Sequence, residues 1–381
     1  MRTQFTKYLQ KEENMITKKY QICARCVMDN SSDDTIVFDE NGFCNYCTEA
    51  LKLKERVYFP NEEGREKLNA LLNKIKSENK RKKYDCIIGV SGGLDSSYLL
   101  FKCYQWGLRT LVVHVDDGFD SKITKSNLNK LINKTGFDYI VEQPDSEQFN
   151  DLTRAFFLAG VPNVAIPQDN ILFAVLYRIV RKYGMKTLLS GGNFALECIL
   201  QRSHTYRAFD VVHIKAIHKI YGRKPIDKLP LLSDFRRTFD RIFLGIETVR
   251  PLNFIEYNRN KAIEELNEFC GFEYYKRKHL ENDLTKFIQL YWFYHKFGVD
   301  KRRSHLSSMI VSGQMSREEA LEELKEPIYD ESEMLELKKK ILCALDISDE
   351  KFEEIMKAPP KEHTDYKTDN YHIFQKLKKF F

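Results

Sequence analysis

The feature that most constrains the fold is a glycine-rich turn that directly follows an apolar run. The run extends from Tyr84 to Val90, and residues 91–96 then read Ser-Gly-Gly-Leu-Asp-Ser. A β-branched run that passes through two glycines into a second apolar segment predicts a strand, a tight turn and a helix. Glycine lets the backbone approach a ligand closely, and the free N–H groups at a helix start attract negative charge. The pattern therefore predicts an anion-binding loop in an α/β protein.

Strand and helix patterns alternate between residues 84 and 193. Apolar runs predict strands, and 3.6-residue periodicity predicts the helices between them. The predicted strands are 84–90, 109–115, 138–141 and 187–190, and the predicted helices are 95–106, 124–134 and others up to 183. This alternation predicts a doubly wound, mostly parallel sheet that binds ligands at the carboxyl ends of its strands. We expect an N-terminal segment at 1–58, the α/β domain at 59–225 and a helical C-terminal region at 226–381.

Polar residues follow the predicted strands, where ligands are expected. Asp116 ends the second strand, 23 residues after Gly93, at the place where an acidic group can meet a nucleoside hydroxyl. A turn cap is the alternative for Asp116. After the fourth strand, Asn193 and Glu197 are four residues apart and share a helix face. Glu197 is a candidate acid, base or substrate anchor, with a plain surface glutamate as the alternative.

Two Cys-x2-Cys pairs lie near the N-terminus, and 17 residues separate them. This spacing predicts a four-thiolate zinc site, which is structural because four ligands leave no open position. The ligands are Cys23, Cys26, Cys44 and Cys47. A redox pair and an iron–sulfur cluster are the alternatives. We expect the other five cysteines in the core: Cys86, Cys103, Cys198, Cys270 and Cys343.

Composition limits the class of partner. The 381 residues carry a net charge of +6 from 61 basic and 55 acidic side chains. This balance does not require nucleic acid, but it suits an anionic substrate that bears a nucleotide. No apolar segment has the length of about 18 residues that a membrane span needs, and the N-terminus lacks the apolar core of a signal peptide. We therefore expect a cytoplasmic protein without a membrane span.

A basic cluster in the C-terminal region is a candidate for binding phosphate. Arg302, Arg303 and His305 lie within about two helical turns. Forked guanidinium groups suit a pyrophosphate. A solvent-exposed charge cluster is the alternative.

Several motifs occur in one order along the chain. They are the four cysteines, the Ser-Gly-Gly-Leu-Asp-Ser loop, Ser190–Glu197, Asp210–His218, Lys278–Glu281 and Lys301–Ser308. Together they resemble the N-acetyl sugar amidotransferases of bacterial surface-polysaccharide synthesis. That family is a branch of the pyrophosphate-loop (PP-loop) ATPases, whose fold is of the adenine nucleotide alpha hydrolase type. The resemblance covers residues 23 to about 324.

The resemblance implies a carbon–nitrogen ligase that uses ATP, Mg²⁺ and a structural Zn²⁺. The N-acetyl carbonyl of a nucleotide-linked sugar would be adenylated and its oxygen replaced by ammonia, which gives an acetamidino group, AMP and pyrophosphate for lipopolysaccharide (LPS) or O-antigen synthesis. The implied catalytic residues are Asp95, Asn193, Glu197, Lys278 and Arg302, with Asp95 as the magnesium ligand. The implied ATP-binding residues are Ser91, Gly92, Gly93, Asp95, Ser96, Ser97, Asp116, Gly191 and Arg303. The implied substrate residues are Asp210, His213, Lys215, His279, Glu281 and His305.

The chain shows no glutaminase signature of its own, because residue 2 is Arg and no cysteine lies in a Gly-x-Cys-x-Gly turn. The resemblance therefore implies a separate glutaminase and a barrel-shaped protein that conducts ammonia. The loop lacks the lysine of Gly-x4-Gly-Lys-Ser/Thr, which favours an AMP-forming reaction over γ-phosphate transfer. One alternative is a tRNA-thiolating PP-loop enzyme, although no Cys-x2-Cys follows Cys47. The other is a non-catalytic, nucleotide-binding zinc protein.

Overall fold

A parallel β-sheet organises the described part of the chain, residues 19–275 and 280–369 of the computed structural model. Its strand order is β3-β2-β1-β4-β5, and every neighbouring pair is parallel. The strands are β1 (Cys86–Gly89), β2 (Thr110–Val115), β3 (Asp138–Glu142), β4 (Thr187–Leu189) and β5 (Glu247–Val249). In the centre, Ile88 lies between Val112 and Leu189. The predicted doubly wound α/β class is confirmed.

Helices connect and cover these strands. In the described residues they are α1 (Asn45–Val57), α2 (Glu62–Glu78), α3 (Leu94–Gln105), α4 (Lys122–Thr135), α5 (Ser146–Ala159), α6 (Ile166–Lys182), α7 (Phe194–Glu197), α8 (Val211–Tyr221), α9 (Asp234–Phe243), α10 (Arg259–Cys270), α11 (Asp283–Phe287), α12 (Phe293–Phe297), α13 (Arg302–Ser312), α14 (Arg317–Lys325), α15 (Glu331–Ala344) and α16 (Asp349–Lys357). A π-helical turn, Ile288–Trp292, joins α11 to α12, and 3₁₀ turns lie at Pro251–Phe254 and His363–Asp365.

The two faces of the sheet pack into two apolar clusters. Successive side chains of a strand point to opposite faces, so Ile87 and Ile88 belong to different clusters. The Ile87 cluster includes the C-terminal aromatic residues around Trp292, and the Ile88 cluster reaches the cysteine segment through Met28. Because both clusters also contain strand residues, the N-terminal cysteine segment and the C-terminal helices pack against the sheet. β5 follows residue 225, so the sheet includes chain on both sides of the expected domain limit.

The scattered cysteines divide into three environments. Cys86 and Cys103 are buried, as predicted, whereas Cys198 and Cys270 are only half-buried. Cys343 is exposed near the end of α15, so its predicted place in the core is wrong. The reason is that the buried face of α15 contains Met334, Leu337, Ile341 and Leu342, and Cys343 lies off that face.

The cysteine segment, which contains the four cysteines from Cys23 to Cys47, contacts the C-terminal helices. The Val27 N–H donates to Ser307 Oγ at 3.2 Å, and Arg317 Nε donates to the Cys23 carbonyl at 3.1 Å. An isolated antiparallel bridge joins Phe38 to Cys44 in this segment, and Gly42 between them has a φ of 75°. In the described residues, no helix combines the length and apolar character needed to cross a membrane.

Candidate functional site

The loop after β1 and the loop after β4 form one site. β1 and β4 are neighbours at the point where the strand order reverses, and such a point opens a crevice at the carboxyl ends of the strands. A Cβ atom on Gly191 would lie 2.8 Å from the Asp95 carbonyl carbon and 2.8 Å from the Ser96 nitrogen. Glycine is therefore required where the two loops meet, backbone against backbone.

The loop after β1 presents a helix start without a side-chain cap. Gly93 is the N-cap residue of α3, and no side chain accepts a capping hydrogen bond there. Gly92 has a φ of +77°, and a Cβ on it would lie 2.5 Å from Thr124 Cγ2. Ser96 Oγ accepts from the Ser91 N–H at 3.2 Å, and Ser91 Oγ accepts from the Gly93 N–H at 3.2 Å. These two hydrogen bonds fix the turn at the N-terminus of α3. The positive end of the helix dipole at this position favours a bound anion.

The hydroxyls of the loop differ in exposure. Ser91 is exposed and Ser96 is half-buried, whereas Ser97 is only 1% exposed. The Leu94 N–H donates to the Tyr275 hydroxyl at 2.8 Å, so an aromatic side chain covers one side of the helix start. Ser91 and Ser96 are therefore the loop hydroxyls that a ligand can reach.

Two carboxylates lie beside this loop. Asp95 is half-buried and accepts a hydrogen bond from the Tyr257 hydroxyl, whose pKa is raised by burial and by the Asp95 charge. Glu281 Oε1 is 3.5 Å from Ser91 Oγ, and a Cβ on Gly93 would lie 2.5 Å from the same oxygen. Two carboxylates beside an anion-binding loop repel a phosphate unless a cation lies between them. Oxygen ligands of this kind fit Mg²⁺.

Glu281 is held in place through its backbone. Its carbonyl accepts from Thr124 Oγ1 at 2.6 Å and from the Ser121 N–H at 3.1 Å. The next residue, Asn282, donates to Asp117 Oδ1 at 3.0 Å. The start of the C-terminal helical region is thus bonded to the helix and loop that follow β2.

Asn193 and Glu197 stabilise the loop after β4. Asn193 caps α7 by accepting from the Leu196 N–H at 2.9 Å, and its Nδ2 donates to the Gly191 carbonyl at 3.1 Å. Glu197 Oε2 accepts from the Asn193 N–H at 3.3 Å and lies 3.2 Å from a Cβ position on Gly192. Both side chains therefore lie at the crevice.

A cavity of about 360 Å³ opens beside Ser91, at the ends of β1 and β2. Ionisable side chains of both signs line it. They are His114, Asp117, Asp120, Asp169, His204, Glu281 and Lys301. Burial raises the pKa of Asp169 to about 6 and lowers the pKa of Lys301 to about 8. A cavity of this size suits a small polar ligand that carries charge.

His114 and Asp120 form a buried pair in this cavity that the sequence reasoning missed. His114 Nδ1 lies 2.8 Å from the Val90 carbonyl oxygen, and Nε2 lies 2.7 Å from Asp120 Oδ2. Both partners are acceptors, so this geometry favours the doubly protonated ring. Burial lowers the pKa of His114, but the hydrogen bond and charge of Asp120 outweigh it and raise the pKa overall. Asp120 lies six positions after His114 in the sequence, so no short motif links the two residues.

Replacing His114 is expected to lower stability most at acidic pH. Because the folded-state pKa is raised, the His114–Asp120 pair contributes fully below the unfolded-state pKa of about 6.5 and loses its contribution as pH rises through the folded-state value. Chemical unfolding of His114→Gln and the parent over a pH series measures this difference. His218→Gln is the control, because His218 Nε2 lies against the Lys224 carbonyl at 2.7 Å and not against a carboxylate. A pH-independent His114→Gln difference would contradict the assignment.

Asp116 lies at the end of β2, beside the cavity. Its Oδ1 accepts from the Gly118 N–H at 3.0 Å, and its Oδ2 accepts from Lys125 Nζ at 3.2 Å. Burial raises its pKa, but these two donors outweigh burial and lower it overall. Asp116 therefore makes a turn-stabilising bond, and its contact with a nucleoside remains a prediction.

Arg302 and Arg303 are engaged with other protein groups. Arg302 pairs with Asp300 at 2.8 Å and donates to the Glu326 carbonyl at 2.8 Å, so it joins α13 to the end of α14. Arg303 pairs with Asp29 at 2.9 Å on the cysteine segment. Their phosphate-binding roles remain predictions. Lys301, their neighbour, lines the cavity.

The remaining predicted substrate residues occupy different places. Asp210 caps α8 and accepts from the Tyr206 hydroxyl at 2.8 Å. His213 is fully buried against His363 at 3.0 Å, and burial lowers its pKa. Lys215 is exposed, and His305 lines a smaller cavity of about 50 Å³ beside α13. Lys278 and His279 lie outside the described residues.

The four N-terminal cysteines converge on one point. Their sulfur atoms lie within 4.8 Å of one another, and all four residues are buried. The Cys44 N–H approaches Cys23 Sγ at 3.2 Å, and the Cys47 N–H approaches Cys44 Sγ at 3.4 Å. Such N–H groups stabilise thiolates, and four thiolates form a closed site of the zinc type. The cluster can therefore hold a structural metal ion.

Parts of the chain are similar to known proteins. The uncharacterized protein MJ1599 of Methanocaldococcus jannaschii is 22% identical over 320 residues, which cover 81% of this chain and 96% of that protein. The NH3-dependent NAD synthetase of Campylobacter jejuni, solved with a nitrate ion, is similar at 14% identity and a TM-score of 0.30, over 41% of this chain and 72% of that one. The NMN synthetase of Francisella tularensis is similar at 16% identity and a TM-score of 0.27, over 56% and 96% respectively.

The C-terminal region matches a family model. Residues 281–378 match the family model described as "LPS biosynthesis protein WbpG-like, C-terminal domain". This range begins at Glu281, the residue whose carboxylate lies beside the anion-binding loop. The chain is therefore similar over residues 281–378 to WbpG-like LPS biosynthesis proteins, which supports the predicted resemblance to a family of surface-polysaccharide synthesis.

Proposed function

We propose that this protein is an ATP-dependent amidotransferase that converts the N-acetyl group of a nucleotide-linked sugar into an acetamidino group. One observation carries the proposal: an anion-binding loop opens onto a cavity of about 360 Å³ through Ser91, and that cavity is lined by ionisable groups of both signs. A nucleotide whose phosphates bind this loop would lie directly beside a polar substrate in the cavity. The WbpG-like domain supports a role in LPS synthesis.

The proposed reaction cleaves ATP between its α and β phosphates. An amide does not release its oxygen to ammonia, because oxide is a poor leaving group. Attack of the amide oxygen on the α phosphate forms an O–P bond and releases pyrophosphate. Ammonia then adds to the carbon of this imidate, the C–O bond breaks, and the oxygen leaves with AMP. Holding both substrates in one cavity supplies the proximity that this reaction needs.

The phosphate-binding roles follow from position. Ser91, Ser96 and the N–H groups at the start of α3 bind the β and γ phosphates as a pyrophosphate. Asp95 and Glu281 hold Mg²⁺ beside them. When bound, the metal offsets the negative charge of the departing pyrophosphate. Lys301 lies on the cavity wall, where its ammonium attracts the diphosphate of the nucleotide sugar.

The ammonia step needs a base, because the nitrogen that adds to the imidate must lose a proton. Asp169 lines the cavity, and its pKa of about 6 makes it both ionised and basic near neutral pH. Glu197 lies at the crevice and anchors the substrate. Ammonia comes from a separate glutaminase through a barrel-shaped partner, and the four cysteines hold a structural Zn²⁺.

Sulfur transfer to tRNA is less well supported than amide activation. A sulfur relay needs a reactive thiolate at the nucleotide. Cys198 Sγ lies 3.9 Å from the Ser308 carbonyl, and burial raises its pKa to about 11. No cysteine is among the residues that line the cavity.

The deciding experiment is incubation of the full chain with ATP, Mg²⁺, ammonium and a panel of nucleotide-linked N-acetyl sugars. Mass spectrometry is expected to show one oxygen replaced by one NH, with AMP and pyrophosphate formed in equal amounts. Reactions without ammonium are the control. Formation of ADP and orthophosphate as the coupled products would overturn the proposal.

Asp95→Asn is expected to abolish product formation. The amide lacks the charge that holds Mg²⁺ but keeps an oxygen that can accept from Tyr257. Product formation by Asp95→Asn should fall by at least about 100-fold, because charge stabilisation at a phosphate is worth several kcal/mol. Near-normal turnover with an unchanged melting temperature would remove Asp95 from the metal site.

Asp169→Asn is expected to lower kcat at neutral pH by about 100-fold or more, as the loss of a general base does. In the parent protein, activity should fall as pH drops below about 6, because the carboxylate of Asp169 then becomes protonated. The pH profile of kcat measures this. Asp346→Asn is the matched control, because Asp346 is an exposed carboxylate in a loop. An acidic limb that persists unchanged in Asp169→Asn would exclude Asp169 as the base.

A further inference from the structure

Helix α9 (Asp234–Phe243) turns its apolar side toward solvent. Phe235 is 77% exposed, Phe239 37%, Ile242 57% and Phe243 69%. These four residues, the apolar face of α9, are spaced i, i+4, i+7 and i+8 and cover about 100° of the helix circumference. A surface helix normally packs such a face against the core. The described part of the chain therefore leaves the apolar face of α9 exposed.

Charged residues fix this orientation from the inner side of the helix. Asp240 is fully buried and pairs with Arg181 at 2.5 Å and with Arg236 at 3.0 Å. Asp234 is 8% exposed and pairs with Arg207 at 2.5 Å. Rotating the helix to bury its phenylalanines would break these buried pairs, which is strongly unfavourable. The exposed apolar face is thus a stable property of the fold.

The exposed charges of α9 are all positive. They are carried by Arg236, Arg237 and Arg241, since both acidic residues of the helix are buried. The guanidinium of Arg236 lies 5.3 Å from the Phe239 ring, directly at the border of the apolar face. The complementary surface is therefore anionic and accepts apolar side chains.

The last described residue lies near α9. Asp369 pairs with Arg207, which also pairs with Asp234 at the start of α9. The sequence after it, residues 370–381, contains three lysines and no acidic residue. This composition does not offer the negative charge that the arginines of α9 attract.

The size of the face argues against a stable dimer. At the observed exposures, the four side chains offer on the order of 500 Å² of surface. A stable protein interface needs about 800 Å² from each partner, with shape complementarity. A single convex helix gives less than this, whereas a lipid surface requires no matching groove.

We propose that α9 attaches this protein reversibly to an anionic membrane surface. The phenylalanines enter the boundary between headgroups and acyl chains, and the arginines meet the anionic headgroups. This inference is independent of the proposed reaction.

The test is flotation of the full chain with vesicles. Vesicles of phosphatidylcholine mixed with phosphatidylglycerol are compared with vesicles of phosphatidylcholine alone, at low and high salt. Binding is expected only to the anionic vesicles and should weaken with salt. The double variant Phe235→Ser with Phe243→Ser should bind about tenfold or more weakly, since both side chains are in solvent in the free protein. Leu335→Ser, at a 53% exposed position on α15, is the matched control.

Three outcomes would overturn the proposal. The first is no flotation with anionic vesicles. The second is equal flotation of the double variant and the Leu335→Ser control. The third is a dimer in sedimentation velocity that the double variant abolishes while neither protein floats, which would assign the face to a second copy.

Discussion

Cys44→Ser is expected to prevent the chain from folding stably. A four-thiolate site contributes about 10–16 kcal/mol of metal-binding free energy in zinc-finger peptides, whereas a whole domain is stable by about 5–15 kcal/mol. Cys44 also caps α1, where its side chain accepts from the Cys47 N–H. The cysteine segment contacts α13 and α14, so its loss exposes apolar surface on the C-terminal helices. We expect loss of soluble protein, or a melting temperature lowered by tens of degrees, together with loss of bound zinc.

The control for this prediction is Cys343→Ser, because Cys343 is exposed and outside the metal cluster. Zinc content and thermal unfolding should match the parent in that variant. Removing the metal from the parent with a chelator should reproduce the effect of Cys44→Ser. A Cys44→Ser protein that melts like the parent would show that the cluster does not support the fold.

Gly191→Ala is expected to abolish activity while most of the fold persists. The added methyl would lie 2.8 Å from the backbone of Asp95 and Ser96, and a backbone contact cannot yield as a flexible side chain can. Either α3 or the loop after β4 must move by an appreciable part of an ångström. Since a displacement of about 1 Å can cost 100-fold in rate, we expect kcat to fall by at least about 100-fold. Nucleotide binding, measured by calorimetry, should weaken as well.

Gly271→Ala separates this local effect from general destabilisation. Gly271 ends α10 at a φ of +71°, and a Cβ there meets no atom within 4 Å. Alanine at such a position costs stability of about 1 kcal/mol through backbone strain, but it leaves both loops in place. The control should therefore melt earlier yet retain its kcat. Normal turnover in Gly191→Ala would show that the two loops do not need this close approach.

The sheet was predictable because its signals are local. Buried parallel strands read as short apolar runs, and Ile87, Val112 and Leu188 all lie in such runs. The ligand loop was predictable for the same reason, since the glycines follow the first strand directly. The short strand β5 was not predicted, because three residues with two exposed side chains carry no periodic signal.

The candidate site was only partly predictable. Arg302 and Lys301 are adjacent in the sequence, and the forked side chain of Arg302 was the more attractive phosphate ligand. The structure instead turns Arg302 toward Asp300 and the end of α14, and Lys301 toward the cavity. A rotation of about 100° per helical residue decides this difference, and no local pattern shows which way a helix faces when both neighbours are basic.

What the amino-acid sequence determined by itself was the alternation of strands and helices, the loop at residues 91–96 and the spacing of four cysteines, because each depends on residues close together in the chain. What only the tertiary structure decided was the composition of the cavity. Ser91 and His114 meet because parallel strands bring their carboxyl ends to one edge, whereas Asp169 comes from the first turn of α6 and Glu281 from the segment before α11. The orientation of α9 was decided in the same way, since Asp240 finds Arg181 only after both helices have packed. Ion pairs between distant segments form only in the assembled chain. In α9, the buried ion pairs outweigh the usual preference of an amphipathic helix for turning its apolar face inward.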